Sequence, residues 1–277
     1  MQERLNYCRP FGPLQIILGG MYMEYVLSLS YGKDSLACLG AIEKLGWSLD
    51  RIVHAEVWAT DSIPADLPPM VEFKAKADEI IKSRWGITVE HIRSNLTFEA
   101  GFYTPVSRGK VEFQGNFRGW PLLRGSWCLR DLKIPVMKPQ KDVTYYTGIA
   151  FDEKDRFNQL SDTLKSPLVE IGWEEDFCGL WCKYSGLLSP IYSFSCRGGC
   201  FFCPKQPIDQ LRSLRKNYPN LWSVMLGWDC DSLVPFRADG HTLLDFDRRF
   251  QLEDKGCLVP GDRSFRWKML CSDMGVS

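Results

Sequence analysis

Apolar positions along this chain alternate between two periods, and that alternation predicts a fold. "YVLSL" (Tyr25–Leu29) is a short, nearly unbroken apolar run of the kind that makes a buried strand. "SLACLGAIEKLGW" follows, with Leu36, Leu39, Ile42 and Leu45 at helical spacing and Gly46 as the stop. "RIVHAEVWAT" predicts a second strand. "MVEFKAKADEIIKSRWG" predicts a second helix, with Phe73, Ala77, Ile80 and Ile81 on one face, and "ITVEHIRS" a third strand. Such strand–helix alternation specifies a parallel sheet covered by helices. Farther on, "VTYYTGIAF" reads as a strand, "DEKDRFNQL" as a helix and "SPLVEIG" as a last strand. "WCLRDLKI", "WEEDFCGLWCKYSG" and "PIDQLRSLRKNYPNLWSVML" read as helices. The segment 95–127 is rich in glycine and aromatic residues and too long for a plain connection, which suggests a functional loop or lid. Beyond Asp229 the pattern fades, and the tail is expected to pack on the sheet or to order only with a partner.

These elements divide the 277 residues into an α/β domain over 23–172 and a helical, cysteine-rich region over 173–277. Residues 1–22 are expected to be a disordered or non-native extension. Basic and acidic residues balance at 34 each, so any contact with nucleic acid must be local rather than carried by bulk charge. The chain holds no apolar run of membrane-spanning length and no signal-peptide core, which points to the cytoplasm. Eleven cysteines without a secretion signal favour metal or redox chemistry over disulfides.

Two motifs carry candidate chemistry. The first, "SYGKDS", joins the first strand to the first helix: Ser30, Tyr31, Gly32, Lys33, Asp34 and Ser35. Gly32 lets backbone approach a ligand, the following helix offers unpaired N–H groups, and Lys33 adds a point charge. Together these suit a phosphate or pyrophosphate. A capped turn with a solvated Lys33 is the plain alternative. The second motif, "SCRGGCFFCPKQP", sets Cys196, Cys200 and Cys203 in a C-x3-C-x2-C array, with Cys128 in "GSWCLRDLKIP" as the candidate fourth ligand. Four thiolates suit tetrahedral zinc or a 4Fe–4S cluster equally well, and buried thiols are the plain alternative. Cys178 and Cys182, one helical turn apart, read as core packing with a ligand role as the rival. The three histidines, His54, His91 and His241, show no triad or metal-ligand spacing.

"SYGKDS" resembles the S-G-G-K-D-S signature of the PP-loop ATP pyrophosphatases, with Tyr31 where the first glycine usually sits. "RGWPLLRGSWCLRDLKI", "TGIAFDEKDR", "PLVEIGWEEDF" and "GCFFCP" extend the likeness over Tyr25–Trp228. They make the chain similar to the phosphoadenosine phosphosulfate (PAPS) reductase branch, in particular its phage and mobile-element members. The resemblance implies an adenine nucleotide alpha hydrolase-like, Rossmann-like core with a small metal- or cluster-binding appendage. It implies ATP or a PAPS-type nucleotide with Mg2+ at the loop, with Lys33, Asp34 and Ser35 as the catalytic group. It puts adenosine by Thr60 and Asp61. It also brings Gly148, Asp152, Glu153 and Arg156 to the nucleotide, with Arg156 reaching phosphate and a carboxylate helping to hold Mg2+. An acidic, solvated helix start explains the last three equally well.

In the centre that the family holds through a Cys-Cys pair and a distant C-x2-C, Cys128, Cys200 and Cys203 carry over directly. Trp127 replaces the first cysteine, and Cys196 is the added candidate. The reductases' C-terminal Cys-Gly-Ile-His-like tail is absent around Cys257 and Cys271. Transfer of sulfur to a small molecule or nucleic-acid base, or AMP activation, therefore fits better than sulfonucleotide reduction. Arg130 and Lys133 would place positive charge near Cys128. Arg108, Lys110, Arg118 and Arg124, interleaved with Phe113, Phe117 and Trp120, suit a nucleotide or single strand, or an ordinary lid. A homodimer remains open. The competing class is a non-catalytic, zinc-stapled nucleotide- or nucleic-acid-binding module.

Overall fold

The computed structural model describes residues 23–107, 114–122, 126–137, 140, 142–158, 163–193, 198–261 and 267. In chain order the first elements are β1 (Glu24–Ser28), α1 (Lys33–Leu45), β2 (Arg51–Glu56), α2 (Pro68–Trp85), β3 (Val89–Arg93) and α3 (Phe98–Phe102). A π-helical turn at Leu129–Lys133 and a 3-10 turn at Ile134–Met137 lead into β4 (Val143–Tyr146), α4 (Lys154–Phe157) and β5 (Leu164–Lys165). Then come α5 (Pro167–Ile171), α6 (Glu175–Tyr184), a 3-10 turn at Pro190–Ser193, α7 (Ile208–Asn217), α8 (Pro219–Cys230) and α9 (Leu243–Asp254).

The five strands form one all-parallel sheet in the order β3-β2-β1-β4-β5. Successive buried residues Ile52, Val53 and His54 in β2 are what a strand covered on both faces requires. α1 ends where the sequence stops it: Gly46, at φ 66°, turns its N–H back onto the carbonyls of Ile42 and Glu43. α2 starts on Pro68 and Pro69 and buries Phe73, Ala77 and Ile81, with Ile80 half-buried beside them. Among the described residues no helix is long and apolar enough to cross a membrane.

Two expectations change. "SPLVEIG" is not a strand: Leu164–Lys165 forms the edge strand, and Pro167–Ile171 is helix α5. Ser166 caps it through the Val169 N–H, Pro167 opens it and Gly172 closes it at φ 74°. An apolar triplet is too short for its period to decide, and the caps win. "WCLRDLKI" is helical as expected, its turns being π-helical over Leu129–Lys133 and 3-10 from Ile134. The faded tail contains α9, capped reciprocally by Thr242 and Asp245.

Contacts divide the chain into two discontinuous units. The first comprises 1–58, 66–95 and 132–199; the second comprises 59–65, 96–131 and 200–277. α6 and the 3-10 turn at Pro190–Ser193 fall in the first unit, with the sheet. In the first unit, α1 packs against α5 and α6. The second unit is built on aromatic rings, with Phe98 stacked on Phe202 at 3.9 Å and packed against Trp127 and Trp228. Trp120, expected in a lid, is buried there and donates its indole N–H to Asp229 at 2.7 Å.

Candidate anion-binding site

In the sheet, β1 lies between β2 and β4, so the connections leaving β1 and β4 diverge at their carboxyl ends. That divergence is where open parallel sheets form a ligand crevice. Ser30–Ser35 leaves β1 at this point. Gly32 is the N-cap of α1 and brings no side chain to the cap. The first-turn amides, which have no intrahelical partner, are available to an outside acceptor. That of Lys33 is taken by the Tyr192 hydroxyl at 3.0 Å, a partner from the 3-10 turn at 190–193 that the sequence reading missed.

Two serine hydroxyls set the loop's shape. Ser35 Oγ accepts from the Ser30 N–H at 3.2 Å and the Ser30 hydroxyl at 2.9 Å, and donates to the Gly32 carbonyl at 3.0 Å. Gly148, after β4, lies against the same turn: a Cβ there would stand 2.4 Å from Ser35 N. Only glycine leaves the Ser35 amide clear.

Lys33 Nζ donates to Asp34 Oδ1 and Glu175 Oε2, both at 2.7 Å. Burial opposes the ammonium, but these two hydrogen bonds outweigh it and raise Lys33 above its ordinary value. Burial raises the Asp34 carboxyl against the pull of Lys33. Glu175, from α6, has no counterpart among the expected site residues. Asp152 accepts from the Glu175 N–H at 3.2 Å and so caps α6. Glu153 accepts from the Ala150 N–H at 3.3 Å and pairs with the exposed Arg156 guanidinium. The turn after β4 thus comes together with the loop, and its carboxylates are engaged locally.

Beneath the loop lie three buried thiols. Cys182 donates to the Lys33 carbonyl at 3.1 Å, and Cys38 to Thr147 at 3.6 Å. Burial pushes the Cys178 thiol up to about 12 and raises Cys38 and Cys182 as well. They stay protonated at neutral pH, as buried packing groups do.

Tyr31 does not put its ring beside the loop's open side, as its place in the motif suggests. It adopts φ 58° and is fully buried. Its hydroxyl donates to Asp78 and lies 3.1 Å from His91 Nε2. His91 also meets Asp78 Oδ2 and Glu56 Oε1, both at 2.9 Å. His54 Nδ1 donates to the Leu29 carbonyl at 2.8 Å, and its Nε2 accepts from Lys74 Nζ at 2.8 Å. Lys74 donates in turn to Asp66 at 2.5 Å. Burial and the Lys74 ammonium lower His54 to about 3. Two histidines that are far apart in the sequence become register partners once β2 and β3 pair. His54 is buried and His91 exposed, and their places in adjacent predicted strands were the available signal.

Most of the other expected residues lie in the second unit, Lys133 being in the first. Thr60 Oγ1 accepts from the Ser62 and Ile63 N–H groups, at 3.3 and 3.1 Å, forming a local turn, and Asp61 beside it is exposed. Cys200–Cys203 is a tight turn, with the Cys203 N–H on the Cys200 carbonyl at 3.1 Å. The Gln206 amide reaches the carbonyls of Cys200 and Phe201, at 3.0 and 2.5 Å. Cys128 directly precedes the π-helical turn. Cys196, Arg108, Lys110, Phe113 and Arg124 lie outside the described residues. Arg118 pairs with Asp131 at 2.6 Å, as does Arg130. Lys133 and Phe117 are exposed. Among the described residues no three His, Cys, Asp or Glu side chains are arranged to hold a metal ion. The described cysteines form no disulfide with one another. No family model, curated protein or solved structure matches this chain.

Proposed function

We propose that the chain is a PP-loop enzyme of the PAPS reductase kind, which binds an adenine nucleotide at Ser30–Ser35 and acts at its phosphates. One observation carries this reading: at a single strand-to-helix turn, outward helix amides, the Lys33 ammonium and the clearance above Gly148 coincide. Helix amides and a fixed cation stabilise phosphate oxygens without reorganising as charge develops on them. An incoming phosphate would take the place of the Glu175 carboxylate on Lys33. The Tyr192 hydroxyl, which accepts the Lys33 N–H, has its own proton left to donate. Arg156, exposed at the same turn, would reach an outer phosphate oxygen. The reaction class is attack by an acceptor nucleophile on the α-phosphorus. The acceptor gains the adenylyl group and pyrophosphate leaves, which opens the way to sulfur transfer onto a small molecule or nucleic-acid base.

A magnesium ion, or a zinc or 4Fe–4S centre on Cys128, Cys196, Cys200 and Cys203, belongs to the same proposal. The described carboxylates and thiols do not converge on such a group, so no step is drawn through one.

Calorimetry with ATP, AMP and PAPS tests binding, and pyrophosphate release with Lys33→Ala as control tests turnover. Absence of heat from all three nucleotides would end the reading. A second reading, a non-catalytic binding module, draws on the engagement of Lys33 with Asp34 and Glu175. It predicts ATP binding with no pyrophosphate release.

A further inference from the structure

We propose that Tyr31 is a positioning residue, its buried ring held by a clamp from β2, β3 and α2 that fixes the conformation of the Ser30–Ser35 loop. The inference rests on the reading of that loop as a phosphate site, and deepens it.

The starting observation is backbone geometry. Tyr31 sits at φ 58°, a left-handed conformation that disfavours any residue with a Cβ. A non-glycine residue keeps such a conformation only where its surroundings enforce it, and these positions cluster at functional turns. The enforcing groups are all in the sheet unit. Asp78 of α2 accepts the Tyr31 hydroxyl proton, and His91 of β3 stands 3.1 Å from the same oxygen. The His54 ring meets the Tyr31 ring edge-on at 4.8 Å, and the Lys74 ammonium lies 5.2 Å from its centroid. His54 also binds the carbonyl of Leu29, so the clamp grips the chain on both sides of Ser30. The hydrogen-bond acceptors in turn fix the clamp. Leu29 requires a proton on His54 Nδ1, which leaves Nε2 to accept from Lys74, and Asp66 takes another Lys74 proton.

A glycine at position 31 would reach the same φ without strain but would leave the loop many other conformations. A clamped tyrosine leaves one. The amides that follow it are then oriented before any ligand arrives, which is where affinity for an anion is gained.

The test compares Tyr31→Phe, Asp78→Ala and the double variant with the native chain. Amide exchange at Lys33 and Leu36, both hydrogen-bonded here, reports loop order without any ligand. Losing one hydrogen bond should speed exchange at these amides by about three- to tenfold and weaken ATP binding by a similar factor. Exchange in β2 and β3 should stay as it was. The double variant should be no worse than Asp78→Ala alone, because losing Asp78 already removes the bond from the Tyr31 hydroxyl together with its own bond to His91. Unchanged exchange at Lys33 and Leu36 in both single variants would overturn the clamp, as would acceleration spread evenly over the sheet with a lowered Tm. A native chain that ignores ATP while exchange responds as expected would sink the nucleotide reading and leave the clamp standing.

Discussion

Replacing Gly148 with alanine probes the closest approach in the candidate site. The new Cβ would stand 2.4 Å from Ser35 N, 2.6 Å from Ser35 Cα and 2.7 Å from the Asp34 carbonyl carbon. Ordinary contact begins at 3.4 Å, so one side must retreat by about 1 Å. Neither side yields easily. The Ser166 hydroxyl pins the Ile149 carbonyl at 2.6 Å, and α1 is packed against α5 and α6. Every atom met is backbone, so no side-chain rotation relieves the overlap. Overpacking of this kind costs about 1–3 kcal/mol, and rigid walls place it at about 2–3. At roughly 2–4 °C per kcal/mol, Tm should fall by about 4–12 °C. ATP binding should weaken as well, because the methyl group covers the Ser35 amide. Gly227→Ala is the contrast: on an exposed face of α8, with nothing within 4 Å of its Cβ, it should gain about 0.5–1 kcal/mol. Calorimetric melts of both variants, with ATP titrations, decide the matter. An unchanged Tm and unchanged ATP affinity in Gly148→Ala would refute the close approach.

Three further outcomes are expected. His54 stays neutral in the folded chain down to about pH 3 but protonates near 6.5 when unfolded, so unfolding takes up a proton between those values. Stability is therefore lost as pH falls through that window, by at most about 1.4 kcal/mol per pH unit, and His54→Gln should flatten the loss in urea melts; parallel slopes would contradict it. Glu253, 3% exposed, bridges Arg212 and Arg249 between α7 and α9. Glu253→Ala leaves two guanidiniums short of their partner and should destabilise the second unit by about 3–5 kcal/mol in denaturant titrations. Tyr192→Phe removes the hydroxyl on the Lys33 amide; a helix-cap hydrogen bond is worth about 0.5–2 kcal/mol, so ATP binding should weaken by about two- to thirtyfold and Tm should fall by about 1–8 °C. Equal affinity would show that the hydroxyl plays no part.

The sheet and its main helices were legible because each signal is local. Apolar runs mark β1 to β4, and Gly46 and Gly86 mark where α1 and α2 stop. The loop at Ser30–Ser35 and the facing Gly148 were legible as a motif. What surrounds them was not. Glu175, Tyr192 and Asp78 reach the loop from positions 47 to 159 residues away, and only strand order and helix packing bring them there. Tyr31 read as a departure from a pattern, since nothing local reveals that φ 58° turns its ring inward. α5 was misread because three apolar residues fit a strand or a helix turn equally well. The Thr242–Asp245 cap of α9 and the stripe of Leu243, Phe246 and Phe250 behind it are both local signals and were legible in the sequence.

The interleaving of the two units governs how the chain can be made. It crosses from one to the other five times, after residues 58, 65, 95, 131 and 199. On a ribosome adding about 5–20 residues per second, β1 and β2 emerge about 7–28 s before residue 199 completes the sheet's unit. Throughout that interval the apolar underside of α1 awaits α6 and is exposed to chaperones and to aggregation. No single cut releases either unit as a continuous fragment, so separate expression of the halves requires splicing and not truncation.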